Sequence, residues 1–357
     1  MSKRPITYHI IGGGVSGLFC AQILKQKEKQ NKVVVYEAGS CLGGRCHSFT
    51  DSDWDKKLDN ATHVIIGANS QLRKYVTSQE WENDINFYDN ATGNISKLSK
   101  KHLGHLLKSA CNTSEENISS AIKKYILRQT FPYTKNKRKI YFSKQDLSQR
   151  IINHLASAPD EVLYNCRLNK IESQFGRAAQ LVFNNRQVEL GSEDKVILAI
   201  DNRSYSQLMN EPVLPHNSII NIFYHTSENL FLPQGASLIA VINGIPDWVF
   251  VSNRIVSTTI SVANNIETPL PELARQIWQE LDVLRGVNSA FIPPFKAYKH
   301  KYATISQDEY TNSLRPDNAL SRYPNVFVAG DWTMKNHPCC LETAFISAQR
   351  AVKEARK

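Results

Sequence analysis

The chain has 357 residues, 41% hydrophobic and 21% charged, a balance that predicts packed cores and excludes global disorder. Its length exceeds one ordinary domain, so two are expected, and its formal net charge of +10 favours an anionic partner such as a membrane surface. No apolar run reaches the roughly 18 residues of a membrane span, and residues 1–5 lead straight into a strand-like segment without the features of a signal peptide, so a cytoplasmic location is expected.

Residues 6–11 are apolar and β-prone and read as a short buried strand. A glycine cluster follows, then helical spacing over 15–25 and a second strand at 32–36. Residues 81–101 are polar with little period. Amphipathic helices are expected at 118–127 and 147–155, flanking a basic and aromatic stretch at 131–142. A strand is expected at 181–188 and a short buried one at 195–200. Residues 219–261 are β-rich, 271–284 read as a helix with proline near its start, 326–329 as a buried strand and 344–356 as a terminal helix. The seven cysteines form no CxxC pair and the histidines show no matching ligand spacing, so reduced thiols and no metal site are expected. No nucleic-acid motif accompanies the positive charge.

Three motifs carry the chemistry. Gly12, Gly14 and Gly17 form a GxGxxG between the first strand and the first helix. There, glycines permit a tight turn, backbone approach to a pyrophosphate at the helix N-terminus, and close helix–strand packing. Glu37 follows at about the 20-residue spacing at which an acid accepts ribose hydroxyls. Next come Gly43 and Gly44, which allow backbone contact with a ligand, and Arg45, a cation for phosphate or flavin oxygens. A nicotinamide dehydrogenase has no need of that second glycine pair, so it points to FAD. Late in the chain, the strand 326–329 ends in Gly330 and Asp331, suited to ribityl and phosphate groups, and a helix starting near Glu342 would aim its positive end at the flavin. Ser16 and Leu168 complete the expected cofactor-binding set. The reading is an α/β flavoprotein of the two-dinucleotide-binding-motif class. A Rossmann-like FAD-binding domain is expected from residues 1–70, 160–204 and 322–357. An interleaved α+β substrate domain is expected from 71–159 and 205–321.

Around these motifs the chain resembles the hydroxysqualene dehydroxylases, also called squalene-associated FAD-dependent desaturases, within the amine oxidase and phytoene desaturase-like flavoproteins. The resemblance runs through Gly43 to Phe49, Leu58 to Ala68, Ala110-Cys111-Asn112-Thr113, Asp146-Leu147-Ser148, Lys301 to Thr304, Leu314-Arg315-Pro316 and Gly330-Asp331-Trp332. It differs at Ala61, Thr343 and Ala348, where the family has glycine, and in a shorter stretch over 69–104. It implies reductive removal of the allylic hydroxyl of hydroxysqualene, giving squalene. An acid protonates the hydroxyl, water leaves, and the cation takes a hydride from reduced flavin. His63 and Glu342 are the candidate acids, and Lys296 or Lys299 would be the flavin-facing lysine of an amine oxidase. The implied partners are an apolar triterpenoid, an anionic membrane contacted by Lys135, Lys137, Arg138 and Lys139, and an electron donor, NAD(P)H or a redox protein. The alternatives are another polyprenoid desaturase, an amine oxidase, or a non-catalytic flavin-binding remnant that the short 69–104 stretch would explain.

Overall fold

A computed structural model describes residues 6–59, 64–67, 69–75, 81–82, 85–130, 140–142, 146–289, 291–316 and 321–357. A five-stranded parallel sheet stands at its centre, in the order Glu161–Leu163, Lys32–Tyr36, Thr7–Ile11, Lys195–Leu198, Val326–Val328. These strands are short and almost wholly apolar because both faces are covered, as parallel sheets require. On one face Ile10, Val33, Val35, Ile197 and Phe327 pack against the helices Val15–Lys27, Leu147–Ala156 and Leu341–Ala355. On the other, Val34, Tyr36, Val196, Leu198 and Val328 pack against a three-stranded antiparallel sheet (Leu168–Gln174, Arg177–Phe183, Gln187–Glu189) and the helix Asn202–Met209. This is the expected Rossmann-like α/β arrangement.

A second, seven-stranded sheet has the order Phe295–Ile305, His216–His225, Ile255–Ile260, Trp248–Ser252, Leu238–Ile242, Asn86–Asp89, Ile95–Lys97. The helix Leu270–Arg285 covers one face through Leu273, Ile277, Trp278 and Leu281, and stops at Gly286 in the left-handed conformation, φ +70°. The opposite face carries Phe87, Leu238, Trp248 and Phe250, with Leu106 of the helix Leu103–Cys111 against them. That helix is pinned to the sheet by Lys108 Nζ to Asp247 Oδ1 at 2.7 Å and by Trp248 Nε1 donating to Ser109 Oγ at 2.8 Å.

Several elements differ from expectation for physical reasons. The aperiodic 81–101 stretch contains the hairpin Asn86–Asp89 and Ile95–Lys97, whose strand order is set by parallel pairing with Leu238–Ile242, a partner remote in sequence. The strand expected over 181–188 is two strands joined by a turn, with Phe183 N donating to Arg186 O at 2.8 Å. The eleven-residue strand Phe295–Ile305 is rich in lysine and half-exposed, so its composition hides it. Among the described residues all seven cysteines are free, no cluster of His, Cys, Asp or Glu could hold a metal ion, and no helix is long and apolar enough to cross a membrane.

Candidate active site

The three glycine motifs meet at the C-terminal edge of the parallel sheet. Gly17 lies under the first turn: a Cβ there would sit 2.0 Å from Gly12 O. Only glycine lets the helix Val15–Lys27 start this close to the strand before it. Gly14 is different. It holds the N-cap of that helix with an extended backbone, and the nearest atom to a Cβ placed on it is Gly43 O at 3.9 Å. The space above Gly14 is therefore open, at the positive end of a helix.

The second glycine pair closes one side of this space. Gly43 N donates to Gly13 O at 2.9 Å and Gly43 bridges Gly14 as a parallel partner, with φ +115° at Gly43 imposing glycine there. Glu37 stands at the end of the second strand and accepts from Gly13 N at 2.8 Å and Gly39 N at 2.7 Å. Those bonds fix the carboxylate on the wall of the cleft, with lone pairs left to accept further hydrogen bonds. Ser16 also lines the cleft, with its hydroxyl donating to Ala344 O at 3.2 Å and tying the first helix to the last. Leu168 lines the cleft at the start of the strand Leu168–Gln174.

Across from the first turn, Arg45 forms an ion pair with Asp331 and donates to Ala303 O at 3.0 Å. Its guanidinium is held above the ordinary arginine value, chiefly by the Asp331 charge. Asp331 is buried and follows Gly330, whose amide donates to Ser347 Oγ at 2.9 Å. Beneath this loop lies Arg315, 2% exposed, donating to the carbonyls of Asp331 at 2.8 Å, Trp332 at 3.0 Å and His337 at 2.7 Å. Sequence reasoning gave Arg315 no role. The resemblance runs through Leu314-Arg315-Pro316, but a buried arginine that binds only carbonyls carries no local sign of that task.

One continuous cleft of about 1790 Å³ joins these groups to the seven-stranded sheet. Gly14, Glu37, Gly44, Arg45, Gly330 and Asp331 line one end. Ile85, Leu106, Ile126, Trp248 and Phe250 line the other. A pocket for one small ligand is usually about 300–1,000 Å³, so this cleft has room for a dinucleotide and a second, apolar molecule. The open cradle above Gly14, the anchored acid at Glu37 and the cation at Arg45 fit an extended diphosphate dinucleotide carrying ribose hydroxyls. All eleven expected cofactor contacts (Gly12, Gly14, Ser16, Gly17, Glu37, Gly43, Gly44, Arg45, Leu168, Gly330, Asp331) thus gather at one end of the cleft or in the turns that shape it.

Of the two expected catalytic residues, only Glu342 is among the described residues, and it does not line the cleft. Glu342 is buried but turned to the opposite side. It accepts from Ser70 Oγ at 2.9 Å, from Gln71 N at 3.0 and 3.1 Å and from Leu72 N at 3.1 Å, while the cleft wall runs through Cys340, Leu341 and Ala344. It caps the short helix Leu72–Tyr75, and those donors absorb the carboxylate that acid catalysis would need. His63 lies outside the described residues, as do Lys135, Lys137, Arg138 and Lys139. Lys296 pairs with Asp51 at 2.8 Å and with Asp53, and Lys299 donates to Ile266 O at 3.0 Å; neither lines the cleft. The cleft histidines are His216 and His300, which no sequence motif singled out. Burial pushes both below the ordinary imidazole value.

Residues 90–356 match the family described as flavin containing amine oxidoreductase, and residues 10–78 the family described as NAD(P)-binding Rossmann-like domain. The hydroxysqualene dehydroxylase of Sinorhizobium fredii is 24% identical over 97% of this chain and 97% of its own. That of Rhodopseudomonas palustris is 24% identical over 98% of each. Among solved structures, cyclohexylamine oxidase from Brevibacterium oxydans has a TM-score of 0.68 at 14% identity over 99% of each chain. A double mutant of putrescine oxidase has a TM-score of 0.65 at 13% identity, covering 99% of this chain and 100% of that one. Both share the fold described above.

Proposed function

Because the chain belongs to the flavin containing amine oxidoreductase family and is an FAD-dependent oxidoreductase, we propose that it acts on a linear triterpenoid, removing the allylic hydroxyl of hydroxysqualene to give squalene. The observation that carries this reading is the continuity of the cleft, a dinucleotide cradle at one end and an apolar chamber at the other. Its open volume speaks against a non-catalytic remnant. The engagement of Lys296 and Lys299 away from the cleft speaks against an amine oxidase that uses either as a flavin-facing lysine.

Each residue has a defined task in this reading. The amides at the start of the helix Val15–Lys27 receive the pyrophosphate, Glu37 accepts the ribose hydroxyls, and Arg45 with Asp331 fixes the flavin half. Bound FAD, once reduced, supplies a hydride. Trp248 and Phe250, whose rings stack at 6.2 Å, keep water from the far end and offer π-faces to a developing allylic cation. Residues 1–70, 160–204 and 322–357 make the FAD-binding domain, and 71–159 and 205–321 the substrate domain. Electrons come from NAD(P)H or a redox partner. The basic stretch 131–142 docks the protein peripherally on an anionic membrane, from which an insoluble substrate enters.

Anaerobic incubation of the photoreduced protein with hydroxysqualene tests the assignment. Squalene formed together with reoxidised flavin supports it. Reduced flavin that persists with the substrate unchanged refutes it.

A further inference from the structure

Removing a hydroxyl needs a proton at its oxygen, and the carboxylate of Glu342 is committed to the turn at 70–72 rather than to the cleft. Among the described side chains lining the cleft, only the imidazoles of His216 and His300 have ordinary proton affinities near neutrality. Their surroundings separate them. His216 opens the strand His216–His225, donates from Nδ1 to Leu214 O at 2.7 Å, and meets the edge of Tyr302 at 5.6 Å. Its Nδ1 is thus committed to the backbone, and its ring is held against Tyr302. His300 lies in the middle of the neighbouring strand Phe295–Ile305, opposite Ile219, and its imidazole makes no hydrogen bond to a described residue.

The position of His300 is set by the strand it belongs to. Three residues further on, Ala303 receives the Arg45 guanidinium, so this strand crosses the Gly43-Gly44-Arg45 turn. His47, just past that turn, donates from Nδ1 to Gly44 O at 2.8 Å and acts electrostatically on His300. His300 therefore stands at the seam between the cofactor cradle and the apolar chamber, with Asn221 and Ile219 of the paired strand beside it on the cleft wall. The reactive carbon must lie at this seam, since it has to reach both the cofactor and a proton donor while its hydrocarbon arms occupy the chamber.

We propose that His300 is the catalytic acid that protonates the departing hydroxyl. This rests on the dehydroxylase reading given above. The imidazolium N–H is transferred to the allylic oxygen, the C–O bond breaks, and water leaves with the bonding pair. The carbon then gains a C–H bond from the hydride of reduced FAD, which is oxidised by two electrons, and the imidazole recovers its proton from solvent. Reduced FAD is regenerated by a two-electron donor of the NAD(P)H or redox-protein class. Both burial and the facing His47 favour the neutral imidazole, so the charged form is populated on the acid side of neutrality.

The test uses photoreduced holoenzyme mixed anaerobically with hydroxysqualene, following flavin reoxidation and squalene. In the wild type the rate should fall as pH rises through neutrality. His300→Gln should retain FAD content and its reoxidation by dioxygen, yet lose about 10²–10⁴-fold in the rate with hydroxysqualene and lose the pH dependence. A His300→Gln rate within threefold of wild type, with the same pH profile, overturns the role of His300 and leaves the substrate reading intact. A wild type that does not react overturns the substrate reading, and His300's role with it. His300→Asn is the second variant should the glutamine form bind no FAD; a wild-type rate flat from pH 5 to 9 counts against His300 whatever the variants do.

Discussion

The Arg45 guanidinium and the Asp331 carboxylate, far apart in sequence, form an ion pair on the wall of the cofactor cleft. The pair joins the turn after the second strand to the loop after the last one, so one contact links the two motifs expected at the flavin. Arg45 is half-exposed to the open cleft while Asp331 is buried, so losing Arg45 strands a buried carboxylate. Arg45→Ala should therefore weaken FAD binding by about 1.5–3 kcal/mol, the range for hydrogen bonds to charged groups. Fluorescence titration of apoprotein with FAD measures this; an unchanged dissociation constant in a folded variant removes Arg45 from the site.

Gly14 and Gly17 should behave oppositely, although both belong to one motif. The space at Gly14 is open, so Gly14→Val should fold and bind no FAD. At Gly17 a Cβ meets backbone at 2.0 Å, so Gly17→Val should fail to fold at all. Circular dichroism and flavin absorbance separate the two outcomes. A flavin-replete Gly14→Val variant contradicts the placement of the pyrophosphate.

Glu37→Ala should cost about 1–3 kcal/mol in FAD binding, through lost ribose contacts and through Gly13 and Gly39 amides left without their acceptor. Calorimetric titration of the apoprotein is the measurement. Unaltered affinity would place the adenosine end elsewhere.

Glu342→Ala should leave FAD affinity nearly unchanged but lower the melting temperature, since it removes the acceptor of the amides at 71 and 72 and of the Ser70 hydroxyl. Unsatisfied buried donors cost about 1–3 kcal/mol each. Unaltered stability accompanied by lost turnover would return Glu342 to the catalytic set.

FAD should be held without a covalent bond. Cys339 and Cys340 line the cleft, but burial pushes the Cys339 thiol up to about 12 and raises Cys340 as well, so neither offers a thiolate at neutral pH. Acid precipitation should release the yellow colour; a coloured pellet means a covalent link. On membranes, replacing Lys135, Lys137, Arg138 and Lys139 with Ser should reduce sedimentation with anionic vesicles and leave FAD content intact. Each such cation contributes about 1 kcal/mol near an anionic surface at low salt. Equal sedimentation of the two proteins assigns the positive charge another purpose.

What could be read from the sequence follows from how local each feature is. The cofactor end was legible because a dinucleotide imposes glycines, an acid and a strand–turn–helix unit within a few dozen consecutive residues, as from Gly12 to Arg45. Four of the five parallel strands showed as apolar runs because burial on both faces leaves little choice of residue, whereas the partly exposed edge strand Glu161–Leu163 did not. The strand Phe295–Ile305 was not legible, because a half-exposed strand paired with His216–His225 needs little hydrophobicity of its own. The cleft imidazoles were hidden for the same reason: His300 acquires its position from pairing with residues far away in the chain. Glu342 misled because an acid near a helix N-terminus reads the same whether it faces a flavin or, as here, caps the neighbouring turn at 71–75.

The claim at the centre of this account is that a hydride replaces a hydroxyl. Single turnover of the photoreduced protein with hydroxysqualene in deuterium oxide tests it most directly, because the transferable hydrogen of reduced FAD exchanges with solvent before substrate is added. Mass spectrometry should find squalene carrying one deuterium at the carbon that lost the hydroxyl, in an amount equal to the flavin reoxidised. Recovery of unlabelled squalene, or flavin reoxidation with hydroxysqualene left intact, would contradict it.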